Sequence, residues 1–315
     1  MKTMRNAILS LLVLAMVSTG CAQEKTGKTG EKNKQEIPVK PKAPKMSKEE
    51  MQKNLTENVK NDFEIKENEN TKQALQILNE TQNVLNYIAK NKDKKAKEEL
   101  AKLIGELEIM ITKDPQLALV PVNVSYEVND AVIDIPAAKA ITKAAQEEMD
   151  KGYYQTAKEI MNTLTSELKI KTAYLPFATY PDAMRLAAAL LEKGKKQEAA
   201  AILVQALNTL VVQEVKLPLP VLRAEEYIKA AAIAMAGDEK DKKEVAILFL
   251  DNAEYQLDLA EAMGYGKKDK EFKELHTVIK ALKEDIKGNK ETKAKFDSLK
   301  EKIKKFKERL FYKKK

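Results

Sequence analysis

The chain of 315 residues has a formal net charge of +8 and contains one cysteine, one histidine and no tryptophan. A single cysteine excludes an intramolecular disulfide and a zinc site built on several cysteines, and a single histidine excludes metal sites of the HExxH type. Hydrophobic residues make up 43% of the chain, charged residues 33% and aromatic residues only 5%, which favours long helices with polar outer faces.

The N-terminus has the parts of a secretory signal. A basic start is followed by an apolar run at residues 7–17, which is too short to span a bilayer as a helix, and by small residues before Cys21. Residues 18–21 (STGC) resemble a bacterial lipobox, in which the cysteine receives the lipid, although Ser18 stands where leucine is usual. We therefore expect a signal peptide over 1–20, lipid attachment at Cys21 and anchoring in the bacterial cell envelope, on the periplasmic side or at the cell surface. Export without a lipid is the alternative.

The next segment has the composition of a linker. Residues 21–48 are rich in Lys, Glu, Gly, Thr and Pro and contain few large apolar side chains. Such a segment buries too little apolar surface to offset the entropy of ordering, so we predict a disordered tether.

A helical body is predicted over residues 49–264. Apolar residues recur at helical spacing in 48–66, 71–88 and 96–111. Residues 115–132 differ, because their valines alternate with polar residues as in a strand. One short strand is not stable alone, so this segment must pair with another, add to a partner or run extended over the helices.

Two units of helix, turn and helix follow with a period of about 42. The predicted helices are 135–151, 154–169, 180–193 and 197–213, and each unit ends in an extended, proline-containing connector. Gly152 and Gly194 lie 42 positions apart, each where a helix needs a left-handed C-terminal cap. Helices at 223–236 and 242–263 make a third unit.

The resulting fold class is all-α, with stacked antiparallel helical hairpins around a continuous core. The helix–turn–helix arrangement resembles that of tetratricopeptide repeats, although the period of those repeats is 34 residues. The connectors form a few short strands or stay extended. Independent hairpins without a common origin are the alternative explanation of the period.

These residues carry a resemblance to a known family. The stretches are IPAAKAI (135–141), EEMDKGYYQTAKEIMNTL (147–164), the run from YPDAMRLAAALL to NTLVV (180–212), and LPLPVLRAEEYI (217–228). They resemble the YfdX family of bacterial exported proteins over about residues 71–264. The resemblance implies an exported all-α protein that self-associates and takes part in stress responses, with no agreed enzymatic activity. Small-molecule binding or protection of other proteins is a suggestion at family level only.

The positive charge is concentrated in a C-terminal region. Residues 265–315 contain 19 basic and 9 acidic residues, and their apolar residues predict a hairpin of two helices with a coiled-coil-like seam. The hairpin stands alone or packs on the body or on another copy. Its charge attracts anionic lipids or acidic polymers, or is a solvated helix face. Nucleic acid is not an expected partner, because the protein is exported.

No catalytic residue, metal site or cofactor is predicted. The chain lacks P-loop, GxGxxG and GxSxG motifs. Adjacent acids suit acid–base chemistry only when they meet in a cleft, so solvated helix faces or loops are the simpler interpretation of them. Likewise, the histidine lies beside Leu275 on a predicted helix and is expected to be a residue at the boundary of its apolar face rather than a ligand or a base. These residues are Glu147, Glu148, Glu225, Glu226, Asp238, Glu239, Asp241 and His276.

The aromatic residues define one candidate binding site. Five of the 17 aromatic residues fall within 28 positions, namely Tyr153, Tyr154, Tyr174, Phe177 and Tyr180. They predict an apolar pocket with phenolic hydroxyls, or else rings that pin the connector to the helices.

Two functions follow from these features. The first is a non-enzymatic cell-envelope lipoprotein of the YfdX type that acts by protein association, including association with further copies of itself. The alternative is a small-molecule-binding protein whose pocket takes an apolar ligand among the five aromatic rings. Hydrolysis by an unrecognised pair of carboxylates is a third hypothesis.

Overall fold

The computed structural model describes residues 40–42, 46–63, 68–115, 117–177, 179–266 and 270–311. The predicted signal peptide, Cys21 and most of the predicted tether lie outside these residues. The structure is 71% helical and has one small sheet, so the fold is mainly α as predicted. In the part of the chain that is described, no helix is both long enough and apolar enough to cross a membrane.

The helices follow the predicted order. They are α1 (Lys48–Phe63), α2 (Glu69–Ala89), α3 (Asp93–Lys113), α4 (Ile135–Asp150), α5 (Tyr154–Asn162), α6 (Tyr180–Glu192), α7 (Lys196–Asn208), α8 (Leu219–Ala236), α9 (Lys242–Ala262), α10 (Lys270–Lys287) and α11 (Lys293–Phe311).

Local chemistry sets several of these boundaries. The Asp134 carboxylate accepts a hydrogen bond from the Ala137 backbone N–H at 2.9 Å, which caps the start of α4. Gly152 and Gly194 have φ values of 85° and 72° in the turns that follow α4 and α6. The left-handed conformation predicted for both glycines is therefore confirmed.

Three strands form one antiparallel sheet. They are β1 (Leu119–Asn129), β2 (Glu167–Pro176) and β3 (Val211–Pro218), in the order β1–β2–β3. Tyr126 lies opposite Ile170, and Ile170 lies opposite Val215. The predicted strand within 115–132 is confirmed, and its partner is the connector that follows α5.

The helices predicted at 154–169 and 197–213 were too long. The α5 helix ends at Asn162 and α7 at Asn208, and after short links the chain enters β2 at Glu167 and β3 at Val211. In β2, the buried residues Leu168 and Ile170 alternate with the less buried Lys169, which is the period of a strand. Pairing between strands supplies the backbone hydrogen bonds that a longer helix would have made.

Each end of the sheet carries its own group of helices. At one end, α2, α3, α6 and α7 share a core with Val120 of β1 and Leu175 of β2. At the other end, α8, α9, α10 and α11 share a second core, and α4 packs on α9. One face of the sheet is covered by α1, whose Met51, Leu55 and Val59 pack on the strands.

The hairpins stack in an order that differs from their order in the chain. The α6–α7 hairpin packs on α2–α3, whereas α4–α5 packs on α9. The reason is that each strand of an antiparallel sheet returns the chain to the opposite end, so successive hairpins emerge at alternate ends.

The C-terminal hairpin belongs to the body. The rings of Phe272 on α10 and Phe306 on α11 meet edge to face, with centroids 4.8 Å apart, inside the core shared with α8 and α9. Lys302 lies 3.5 Å from Glu274, and Lys307 lies 2.8 Å from Glu225 on α8. Part of the basic charge of this region therefore faces acidic partners within the chain.

The single histidine lies between α10 and α9. His276 Nε2 is 3.2 Å from Asp258 Oδ1. Burial alone lowers the pKa of His276, but the contact with Asp258 and the charges of Glu254 and Glu261 outweigh it. The pKa of the folded imidazole therefore lies above its ordinary value of 6.5.

This raised pKa predicts a pH-dependent stability. Protonated His276 stabilises the fold below the unfolded-state pKa, and this contribution is lost as the pH rises through the higher folded-state pKa. We expect the difference in free energy of unfolding between wild type and His276→Gln to shrink as the pH rises from below 6.5 to alkaline values, measured by urea denaturation. The exposed neighbour provides the control, since Thr277→Ala should change stability equally at every pH. A difference that stays constant for His276→Gln would contradict the prediction.

Candidate functional site

The five aromatic residues of the candidate binding site lie in three different parts of the structure. Phe177 and Tyr180 are 2% and 1% exposed in the core beside α2 and α3. The Tyr180 hydroxyl donates to Thr81 Oγ1 at 2.9 Å, and burial raises the pKa of Tyr180 to about 12. These two rings therefore pin the end of β2 and the start of α6 to the helices, which was the second interpretation of the aromatic group.

The other three rings lie elsewhere. Tyr174 is half-buried in β2, where its backbone pairs with Pro121 and Val211. Tyr153 and Tyr154 are 60% and 69% exposed at the turn between α4 and α5. The single pocket predicted from all five residues is therefore not formed, because two of the rings fill a core and two lie exposed on a different hairpin.

The exposed pair lies on a hairpin that is poorly covered. We name residues 139–162, which form the outer part of α4 and α5 and the turn between them, the arm. Its only buried residues are Ala145 and Ala157. Ile160 and Met161 are half-buried, and Met149, next to the tyrosines, is 45% exposed. The arm thus presents an apolar surface that nothing in the described chain covers, and such surfaces mark interaction sites.

The base of the hairpin is firmly attached. Ile135 and Ala138 pack with Leu164 and with Leu259 of α9 in a separate core. The Thr142 hydroxyl donates to the Ala262 carbonyl at 2.9 Å. The arm is therefore held at one end and projects its turn away from this attachment.

Charges on the arm are balanced within it. The segment contains four lysines and four acidic residues. Lys151 Nζ lies 2.7 Å from Glu148, and Lys143 Nζ lies 3.7 Å from Glu147. The contact with Glu148 raises the pKa of Lys151. These two glutamates pair with neighbouring lysines, as expected for a solvated helix face.

The prediction that the adjacent acids Glu225 and Glu226 are solvated was wrong. Glu225 and Glu226 are only 9% and 7% exposed rather than solvated. Lys307 of α11 lies 2.8 Å from Glu225, Lys229 lies 2.8 Å from Glu226, and Asn58 of α1 donates to Glu226 at 2.9 Å. The two carboxylates therefore join α1, α8 and α11. By contrast, Asp238, Glu239 and Asp241 are exposed in the loop before α9, as predicted.

Sequence reasoning missed a further carboxylate group. Glu80 of α2 is 6% exposed, and Lys102 of α3 lies 2.6 Å from Glu80 and 3.5 Å from Glu106. Burial alone raises the pKa of Glu80, but hydrogen bonds from Gln76 and Lys102 bring it below its usual value. Burial and the charge of Glu80 raise the pKa of Glu106. Glu80 and Glu106 are 26 positions apart in the sequence, so only the packing of α2 on α3 brings their carboxylates together.

The polar clusters thus have lysine at their centre. Lys102 and Lys229 each bridge two carboxylates, which compensates charge. In the ranges that the structure describes, no group of three or more His, Cys, Asp or Glu side chains is placed to hold a metal ion.

Because some of the aromatic rings are buried and others are exposed, their substitution should have different effects on the free energy of unfolding. We expect Phe177→Ala or Tyr180→Ala to lower the free energy of unfolding by about 3–5 kcal/mol, because each removes a ring from a packed core. Tyr153→Ala and Tyr154→Ala should change it by less than about 0.5 kcal/mol in dilute solution, because those rings are exposed. Urea denaturation followed by circular dichroism measures both. A large loss for Tyr153→Ala would mean that its ring is covered.

Comparison with known proteins finds a family that part of this chain resembles. The family model of the YfdX protein matches residues 77–216, which lie inside the range of the resemblance in the sequence. A solved structure of Salmonella Typhi YfdX is 17% identical and has a TM-score of 0.33, covering 47% of this chain and 92% of that chain. No curated protein sequence matches the chain. Residues 77–216, which run from α2 to β3 and include the arm, are therefore similar to the YfdX family.

Proposed function

We propose that this protein is an exported cell-envelope lipoprotein that acts by binding other protein chains through the arm and catalyses no reaction. The observation that carries the proposal is the exposed apolar surface around Met149, Tyr153 and Tyr154, on a hairpin that is firmly attached only at its base. Tyrosine and methionine are enriched at protein interfaces, because they contribute large contact areas.

The polar residues support a role in binding rather than in chemistry. A general acid or base needs a carboxylate that is free to exchange a proton with a substrate. The buried carboxylates Glu80, Glu225 and Glu226 instead face lysine ammonium groups. The YfdX family is not a known enzyme family, which agrees with this assignment.

The lipid anchor rests on the sequence around Cys21 and on the place where the chain joins the body. Asn252 of α9 donates to the Lys42 carbonyl at 3.0 Å, and Met46 packs on the neighbouring cores. The end of the predicted tether therefore contacts the body. If the tether is the flexible coil that its composition predicts, the 20 residues from Cys21 to Lys40 would average roughly 25 Å end to end. Such a tether would hold the body close to a membrane surface. YfdX proteins are typically exported, which is consistent with this location.

The anchor predicts a change of cell fraction. Cys21→Ser should move the chain from the membrane fraction to the soluble fraction, because serine lacks the thiol that would receive the lipid. The acyl chains of a lipidated cysteine are together enough for stable anchoring, and the variant would have none of them. Immunoblotting of the fractions and mass spectrometry of the N-terminal peptide measure the change. A wild-type chain that is soluble and carries an unmodified Cys21 would contradict the anchor.

The binding role predicts a cross-link from the arm. A photoreactive phenylalanine analogue in place of Tyr154 should give covalent adducts with protein when intact cells are irradiated, because that position is in contact with a partner. The same analogue in place of Ile233, which is 73% exposed on α8, is the matched control. Denaturing gels reveal the adducts and their mass. If position 154 gives no more adducts than position 233, the arm does not bind protein.

A further inference from the structure

The second half of α8 is apolar on every side. Residues 230–236 (AAAIAMA) contain no polar side chain, yet among them only Ala231 is fully buried. Ile233 is 73% exposed, and Ala236 is exposed one turn later. A surface helix normally has a polar outer face, and a helix that is apolar all round is normally covered. The outer face of α8 therefore lacks the polar side chains that contact with water favours.

This outer face lies between α11 and α1. Glu225, earlier in α8, contacts Lys307 of α11, whereas Glu226 accepts a hydrogen bond from Asn58 of α1. Ile233 comes two turns after Glu226 and so lies on the same side of the helix. The apolar surface therefore continues beyond the point where α1 covers α8, with α11 along one border.

The bordering helix α11 runs antiparallel to α8. Lys307, near the end of α11, is 2.8 Å from Glu225 in the first half of α8. At the other end, Lys243 donates to Asn289, which precedes α11, and Lys243 belongs to the helix that follows α8. Each earlier turn of α11 therefore lies beside a later turn of α8.

This arrangement brings three lysines of α11 to the apolar surface. Lys300 is two turns earlier than the ion pair with Glu225, and so lies level with Ile233. Lys293 and Lys304 are exposed on the same side of α11, and neither ammonium group has an ion-pair partner in the part of the chain that is described. Lys300 lies 3.9 Å from the exposed Asp297, which offsets part of the charge. The border therefore keeps a positive charge.

We propose that residues 230–236 and these three lysines, which we name the α8–α11 face, dock on a membrane surface that contains anionic lipids. The lysine ammonium groups would pair with headgroup phosphates, while Ile233 would enter the boundary between headgroups and acyl chains. An apolar strip with lysines along its edge is the pattern of helices that lie in a membrane surface. The inference goes beyond the proposed function, because it concerns a surface separate from the arm and from Cys21.

The apolar strip favours a lipid surface over an acidic polymer. A polymer would need lysines alone, and the outer face of α10 offers the exposed Lys273 and Lys280. That face lies away from α8, because α9 and α11 each pack on both helices. Among the side chains of α8–α11 that the structure describes, Ile233 is the only large apolar one that is exposed. Only the α8–α11 face therefore combines charge with an exposed large apolar side chain.

The start of the body lies close to this face. Met46 and Tyr227 of α8 belong to the same two apolar cores, so the chain that precedes α1 lies beside α8. A lipid at the far end of the proposed tether would keep the body at a high local concentration near the membrane. Under that condition a weak docking face is enough to fix the orientation of the body.

A tryptophan reporter tests the contact with lipid. The chain has no tryptophan, so an introduced one reports only on its own surroundings. The test uses residues 21–315 with Cys21→Ser, which lack the lipid and keep every residue that the structure describes. With vesicles of equal parts phosphatidylglycerol and phosphatidylcholine, the emission of Ile233→Trp should shift to shorter wavelengths and be quenched by brominated acyl chains. Vesicles of phosphatidylcholine alone should have no effect. The control Val204→Trp, at a site that is 46% exposed on α7, should show neither change.

Neutralising the lysines tests the electrostatic part. In cosedimentation of the same chain with the anionic vesicles, Lys300→Gln with Lys304→Gln should lower the affinity about 25-fold. The reason is that each lysine near an anionic surface contributes about fivefold. The matched control Lys273→Gln with Lys280→Gln removes the same charge from the outer face of α10 and should leave the affinity unchanged.

The inference fails if the emission of Ile233→Trp is the same with and without anionic vesicles, or if both lysine pairs lower the affinity equally. Binding to polyglutamate that equals binding to vesicles and is unaffected by Ile233→Ser would identify an acidic polymer as the ligand and would also refute the inference. The chain used carries no lipid and keeps the arm intact. The anchor and the binding role of the arm are therefore tested separately, by cell fractionation and by the adducts at position 154.

Discussion

Antiparallel pairing of β1, β2 and β3 is the constraint on which the arrangement of the helices depends. Each strand alone would leave its backbone hydrogen-bonding groups unpaired, and pairing them fixes which ends of the strands are neighbours. Because Leu119 pairs with Pro176 and Glu167 with Pro218, the chain must leave the sheet at alternate ends. The two repeated hairpins therefore lie at opposite ends of the sheet although they are adjacent in sequence.

This separation gives two similar hairpins different surroundings. The α6–α7 hairpin emerges beside α2–α3 and buries its apolar face there, whereas α4–α5 emerges beside α9 and is covered only at its base. Both hairpins have an apolar face. That face is buried within the chain in the α6–α7 hairpin and is left exposed in the α4–α5 hairpin. An exposed apolar face of this kind, with Tyr153 and Tyr154 at its turn, is typical of a surface that binds a partner.

Several ion pairs in the described residues have a structural role. Lys307 of α11 reaches Glu225 of α8, and Lys102 of α3 reaches Glu80 of α2, so ion pairs join helices that also share apolar cores. Removing one member of such a pair would leave a poorly solvated charge without a partner. The resulting loss of stability is larger than the net stabilisation that the pair provides. The acidic residues near helix surfaces thus specify how the helices meet, and a positive C-terminal region is compatible with a compact body.

Local sequence patterns determined the order of the helices, the glycine turns at 152 and 194 and the strand β1, because each depends on residues close together in the chain. The resemblance to the YfdX family came from particular sequence stretches between residues 135 and 228. The local sequence also identified Tyr153 and Tyr154, although not their exposure. Only the tertiary structure decided which hairpins pack together, that Phe177 and Tyr180 fill a core, and that Glu225 and Glu226 are buried. A local pattern shows that a face is apolar, but which surface covers that face depends on strand pairing between segments some 40 residues apart.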